Sequence, residues 1–264
     1  MDKPALSSST DYHIHLFKEG RPMGPSDLDW FLKSCLEAGL REVYDMGSRD
    51  GLGLKFRGFF ADTPLRVRTC GYALFKRGGY GGFIGRPIEH KDQIPEAVET
   101  LYQRGVDFIK VIHSGIVSLN APGGVTEGGF QPDELQLLVN EAKRYGLRVH
   151  CHVNGEERII EAIRAGVYSI EHGFFITERA LKMMSDQGVV WTPTVYALKA
   201  FSSGLPSREA SFYKELIKRH LQMIEYALYI GVRVNTGSDS GAKGLEHGRS
   251  YRKEEALLKQ CTKY

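Results

Sequence analysis

His13 and His15 stand two apart in "DYHIHL", a short apolar run near the start of the chain. In a strand, residues i and i+2 face one side, so both imidazoles point the same way. Further along, "VDFIKVIH" sets Lys110 among apolar residues, and "LRVHCHVN" repeats the paired histidines as His150 and His152. "YSIEHG" ends on His172, and "VRVNTGSDSG" carries Asp239. Each alone has an ordinary explanation. A lone histidine at a strand end is more often a hydrogen-bonded structural residue, Lys110 could snorkel to the surface, and Asp239 could cap a helix. Cys151, between its two histidines, would face away from them and reads as packing. Together the set is harder to dismiss, because buried ionisable groups are costly unless paired or metal-bound. Imidazole nitrogen and carboxylate oxygen suit Zn2+ and similar divalent ions. Two histidines with an aspartate could hold one ion, and two more histidines another. A buried lysine is a poor ligand as ammonium, but carboxylated by CO2 it becomes a carbamate able to bridge two metals. Such a pair lowers the pKa of a shared water and polarises a carbonyl, and an adjacent aspartate can move the proton.

A recurring unit would position these residues. A helix-like segment ends in Gly, an aliphatic residue follows, and a strand-like run begins. The unit reads "EAGLREVYDMG", "QRGVDFIKVIH", "RYGLRVHCHV", "RAGVYSIEHG", "DQGVVWTPTV" and "YIGVRVNTGSD". Gly at a helix C′ position takes the left-handed conformation without Cβ strain and stops the helix. The runs are β-branched and apolar on both faces, as parallel strands covered by helices are. With "DYHIHL" and "PLRVRTCGYAL" (64–74), eight strands are predicted, separated by helical patterns. "QPDELQLLVNEAKRYG" places Pro132 and acidic residues in a first turn, and Thr177 is placed to N-cap "ERALKMMSDQG". Eight alternations predict an α/β fold, a (β/α)8 TIM barrel forming a single domain over residues 1–264. An open doubly wound sheet is the alternative, disfavoured because no Gly-rich dinucleotide turn follows any strand. In a barrel the site lies at the C-terminal ends of the strands, where these ionisable residues fall. "KRGGYGGFIGRP" (76–87) reads as a flexible lid over it.

Bulk composition narrows the classes. The 264 residues, 42% hydrophobic and 25% charged, suffice to bury a sizeable core. Net charge is +3 from 35 basic and 32 acidic residues, too balanced to argue for nucleic-acid or membrane partners. Cys35, Cys70, Cys151 and Cys261 show no C-x-x-C spacing and form no disulfide framework. "MDKPALSSST" lacks the apolar core of a secretory signal. A cytoplasmic protein with a small-molecule substrate is the expectation.

"DYHIHL", "VDFIKV", "VHCHVNG", "SIEHG" and "TGSDSG", in this order, resemble the amidohydrolase superfamily. Its binuclear branch of prolidase-like and Xaa-amino-acid dipeptidases is most similar, over roughly residues 10–260. The resemblance implies two divalent metal ions, Zn2+ in the first instance. It implies His13 and His15 as ligands of the more buried ion, completed by Asp239. Lys110 becomes the bridging carbamate, and His150 and His172 hold the more exposed ion. Asp239 is also the implied catalytic proton shuttle for a metal-bridging hydroxide. His152 then faces substrate; the reverse assignment, with His152 as ligand, stays open. Tyr196, in the loop after strand seven, is placed to touch substrate or to pack.

Members of this superfamily usually carry a flanking β-sandwich. This chain begins about ten residues before its first histidine pair and stops within the last helix. That predicts a barrel without the sandwich, with a short or incomplete last helix and exposed surface that favours a homo-oligomer. The implied activity is metal-dependent hydrolysis of an amide-like bond, in a dipeptide or N-acyl amino acid. An esterase, lactonase or phosphotriesterase on the same centre is one alternative, and a non-catalytic barrel binding a ligand or partner is another. A mononuclear deaminase fits poorly, because neither His150 nor His152 has Glu three residues on.

Overall fold

A computed structural model describes residues 9–262, which form an α/β fold on parallel strands. β1 (Thr10–Ile14), β2 (Glu42–Asp45) and β3 (Arg66–Thr69) make one sheet in that order. β4 (Ala73–Lys76), β5 (Ile109–Ile112), β6 (Val149–Val153), β7 (Ser169–His172) and β8 (Val190–Thr192) pair as β8-β7-β6-β5-β4. The strand Gly85–Ile88 extends this second sheet beyond β4.

Backbone bonds bridge the two sheets. Segment 233–240 lies between β8 and β1. On one side, the Trp191 amide donates to the Arg233 carbonyl at 2.9 Å and the Asn235 amide to the Trp191 carbonyl at 2.8 Å. On the other, the Tyr12 amide donates to the Thr236 carbonyl at 3.0 Å and the His15 amide to the Ser240 carbonyl at 2.9 Å. At the far edge the Asp107 amide donates to the Thr69 carbonyl at 2.9 Å, joining β3 to the chain entering β5. Strand-to-strand bonding therefore passes from β3 through β1 and β8 and returns to β5.

The longer helices are α1 (Leu28–Glu37), α2 (Ile94–Gln103), α3 (Pro132–Arg144), α4 (Glu156–Ala165), α5 (Glu178–Gln187), α6 (Val195–Ser202), α7 (Ser207–Tyr229) and α8 (Arg249–Gln260), with two short turns of helix at Leu52–Lys55 and Arg57–Ala61. The six predicted stop glycines all take left-handed backbone, with φ from +68° at Gly188 to +85° at Gly231. Pro132 opens α3 with Asp133 and Glu134 behind it, and Thr177 caps α5 by accepting from the Ala180 amide. None of the helices among the described residues is long and apolar enough to cross a membrane.

Strand alternation sorts the side chains. Val111, Cys151, Ile170 and Trp191 pack into the apolar core shared with the helices. Each such side chain contributes about 1.5–3 kcal/mol by burial. Cys151 thus packs as expected. Lys110, His150, His152 and Glu171 lie at the alternate positions and face the other way. The register sets Lys110 beside His150, and Glu171 beside His152.

Four features depart from the sequence reading. The predicted strand at 64–74 is two strands, with a bend at Gly71, where φ is +69°. The eighth run makes only isolated bridges, Trp191 to Val234 and Ile14 to Ser240, because it turns sharply at Asp239. Residues 195–202 are helical, not a loop. The glycine-rich segment is packed rather than free: its Gly81 and Ile84 lie on Phe75, and the Ala73 amide donates to the Ile84 carbonyl at 3.0 Å.

Helix α8 reaches the strand-end loops through Glu254. Its carboxylate accepts from the Val195 amide at 2.9 Å and the Tyr196 amide at 2.5 Å, capping α6. Burial pushes this carboxyl up to about 8, against the two amides that pull it down. A group whose folded pKa lies above its unfolded value adds stability that is fully present below the unfolded value and lost as pH rises through the folded one. Glu254→Gln cannot ionise. The melting temperature of the parent relative to this variant should therefore fall between about pH 5 and about pH 9. A difference that stays constant across that range would contradict the assignment.

Candidate metal centre

The C-terminal ends of the strands surround a cavity of about 340 Å³. His13, His15, Lys110, His152, His172 and Asp239 form its polar floor. Six of the eight expected site residues are thus brought together. His150 and Tyr196 do not line it. His150 points to the same face as His152 but sits one layer deeper, against Tyr44, Phe108 and Tyr168. Two residues along a strand is roughly 6.6 Å, enough to move the ring from floor to interior. The resemblance made His150 a metal ligand and turned His152 toward substrate; the structure lines the cavity with His152 and sets His150 beneath it. Tyr196 turns away because residues 195–202 are helical, so Ala197, Leu198 and Phe201 face the cavity instead.

Each floor histidine has one ring nitrogen tied back and the other free to face the centre. His13 Nδ1 bonds Glu171 Oε2 at 2.7 Å, and its Nε2 lies 3.4 Å from Asp239 Oδ1. His15 Nδ1 bonds the Gly47 carbonyl at 2.9 Å, and its Nε2 lies 3.5 Å from the same Asp239 oxygen. His172 Nδ1 bonds Thr194 Oγ1 at 2.7 Å. His152 reverses the pattern, with Nε2 on the Gly115 carbonyl at 3.2 Å and Nδ1 left over. Ligand atoms of His13, His172 and Asp239 all lie within 4.8 Å of one another. Back-bonding of this kind is how metal-ligating histidines are oriented and their tautomers set.

The electrostatics agree with a cationic guest. Burial, with the nearby Lys110 charge, lowers His13 to about 3 and His152 to about 3. Burial likewise takes His15 to about 4 and His172 well below the ordinary imidazole range. All four are neutral near pH 7, the form that ligates metal. Burial lifts Asp239 to about 7, although the Lys110 charge opposes it. Lys110 is 1% exposed and its Nζ has no hydrogen-bond partner among the described residues, an orphaned amine facing the floor. Burial lowers its pKa, favouring the neutral amine.

Residues outside the expected set hold this geometry. Glu171 is fully buried, and its second oxygen bonds His150 Nδ1 at 3.1 Å. Burial pushes its carboxyl up, but the bonds from His13 and His150 outweigh that and hold it well below the ordinary range. Its signal was in the sequence: a carboxylate inside an apolar run, like Lys110. His172, Thr194 and Asp239 all adopt positive φ, +65°, +48° and +52°. Strain of this kind persists only where the surroundings enforce it. The glycine of "TGSDSG" has a steric cause, since a Cβ on Gly237 would lie 2.3 Å from Thr192 and 2.8 Å from His13.

A model of the amidohydrolase family matches residues 10–259. The chain belongs to the amidohydrolase family. Members of this family generally bind divalent metals, and the floor has the donor set for one. Ochratoxinase of Aspergillus niger is 29% identical over 181 residues, which cover 63% of this chain and 38% of that protein. The chain therefore spans well under half of the length of this relative. A crystal structure of a Xaa-Pro dipeptidase with bound methionine superposes with a TM-score of 0.78 at 22% identity, covering 98% of this chain and 70% of that one. That of A. niger ochratoxinase superposes with a TM-score of 0.71 at 23% identity, covering 98% and 71%. These likenesses establish the shared fold.

Glu171→Gln keeps the shape but loses the charge that orients His13. Zinc affinity, measured by chelator competition, should fall about 10- to 100-fold with the fold retained. Unchanged affinity would remove Glu171 from the support of the site.

Proposed function

We propose that the strand-to-strand bonding forms one (β/α)8 barrel and that its floor hydrolyses an amide bond with the help of two divalent ions, Zn2+ in the first instance. What carries the reading is the set of four back-bonded histidines that share one floor with Asp239 and the orphaned Lys110 amine. His13 and His15 would hold one ion with Asp239. His152, in place of His150, would hold the second with His172. Lys110 as a carbamate would bridge them, burial favouring the neutral amine that takes up CO2. Bound there, the ions would acidify a water and polarise the scissile carbonyl.

The chain's own groups do the rest. Asp239 opens partly onto the cavity, with 26% of its side chain exposed. Its Oδ1 faces both His13 and His15, and its raised pKa suits a group that must gain and lose a proton near neutrality. It takes a proton from the attacking water and delivers it to the leaving nitrogen, so acid and amine are released in balance. Glu171, Gly47, Thr194 and Gly115 hold the imidazoles still throughout. An ester, lactone or phosphotriester would meet the same groups, and assay of such substrates alongside amides separates that alternative.

Metal content per chain tests the assignment. About two ions are expected in the parent, with a clear loss in Lys110→Ala and His152→Ala and little loss in His150→Ala. Loss in His150→Ala with none in His152→Ala would restore the original order. One ion or none in the parent, indifferent to Lys110, would sink the binuclear centre. Asp239→Asn should keep substantial metal yet lose turnover by at least about 100-fold. Full turnover in that variant would remove the shuttle.

A further inference from the structure

Above the polar floor the cavity changes character. On one side its wall is Phe17, Tyr80, Phe83 and Ile84, an apolar group anchored on Phe75 and Ile112. On the other it is Val117, Phe174, Leu198 and Tyr213, a separate apolar cluster resting on α7. Phe83, Ile116 and Phe201 crown the mouth and remain 52%, 42% and 62% exposed. Large apolar side chains scattered singly on a surface need no explanation, but three converging from separate segments on one mouth do.

We propose that the bond cleaved here joins two apolar, uncharged groups, so that the substrate is a neutral amide rather than a free dipeptide or an N-acyl amino acid. The proposal rests on the amide-hydrolase reading above and narrows it. Two apolar walls flank the floor, one for the acyl side and one for the amine side. Among the described residues lining the cavity, Lys110 is the only lysine, and at the bottom of the floor it is committed to the proposed metal bridge. No lining arginine is present among them. Two glycine amides that could otherwise cradle an anion are spent, since Gly20 N–H donates to the Gly241 carbonyl at 2.9 Å and Gly241 N–H to the Leu245 carbonyl at 2.8 Å. A carboxylate one carbon from the scissile nitrogen would be pressed against a wall whose donors are the neutral hydroxyls of Tyr80 and Tyr213, with no side-chain cation to pair it. Burying an unpaired charge costs far more than burying the hydrogen that replaces it in a neutral analogue. The α-ammonium of a dipeptide fares no better, because Asp239 is the only carboxylate lining the cavity among the described residues and is committed to the floor.

A matched pair tests this in the zinc-loaded full chain. N-butanoyl-L-phenylalanine and N-butanoyl-2-phenylethylamine differ only in the carboxylate. Amine release gives kcat/KM, and calorimetry gives affinity whether or not turnover occurs. The neutral amide should be favoured on both measures by on the order of 100-fold. Equal or better binding of the carboxylate member overturns the proposal, and so does failure of both to bind. Preferential binding of the neutral member with hydrolysis of neither would uphold the cavity's selectivity for neutral ligands while overturning the amide-hydrolase reading, so the two fail separately. Phe201→Arg places a cation on the exposed mouth and should narrow the preference at least about tenfold. An unchanged preference would overturn the assignment of selectivity to these walls.

Discussion

The carboxylate of Glu171 is the interaction on which the centre depends. It is fully buried and bonds His13 on β1 through one oxygen and His150 on β6 through the other. A lone carboxylate in that position would be costly to bury, and two neutral imidazoles in its absence would be free to choose either tautomer. Together they define one arrangement. His13 must give its Nδ1 proton to Glu171, so Nε2 is the atom that faces Asp239. His150, expected to ligate metal, has its role here: it satisfies the second oxygen of the group that aims the first histidine.

This explains which parts of the site are legible in sequence. Strand identity and order are legible because stop glycines and β-branched runs act locally, at a helix end or along one strand. Residue types are legible because an ionisable side chain within an apolar run demands a cause. Depth is not. His150 and His152 share a strand face and differ only in height, and height is set by where neighbouring strands end. Tyr196 illustrates a second limit. The residue follows Thr194 at φ +48°, and a helix begins there because Glu254, far along the chain, caps its first amides. No local pattern carries that contact. The bend dividing β3 from β4 has the same origin, since β3 pairs with β2 and β4 with β5.

Strain and support are arranged in the same region. His172, Thr194 and Asp239 lie in backbone regions costly for non-glycine residues, at roughly 1–3 kcal/mol each. Each is held by a specific partner. Thr194 bonds His172, the Asp239 amide donates to the His13 carbonyl at 2.8 Å, and the loop after Thr194 is clasped by α8. Thr192 and His13 leave no room for a Cβ at position 237, which keeps the turn before Asp239 closely packed. The last helix thus belongs to the site as much as the first strand does.

Polar floor and apolar walls solve opposite problems with one alternation. Floor residues are preorganised by bonds that run downward and sideways, into Glu171, Gly47, Thr194 and Gly115. Those bonds turn the floor's polar atoms away from the walls, where Phe17, Phe83, Val117, Leu198 and the rings of Tyr80 and Tyr213 meet whatever enters. Apolar walls of this kind lower the local dielectric and strengthen charge interactions at the floor. The same walls turn against a charged flanking group, which would lose its hydration and gain no charged partner. For the proposed reaction, rate and selectivity would then have a common physical source, the low dielectric above a preorganised polar base.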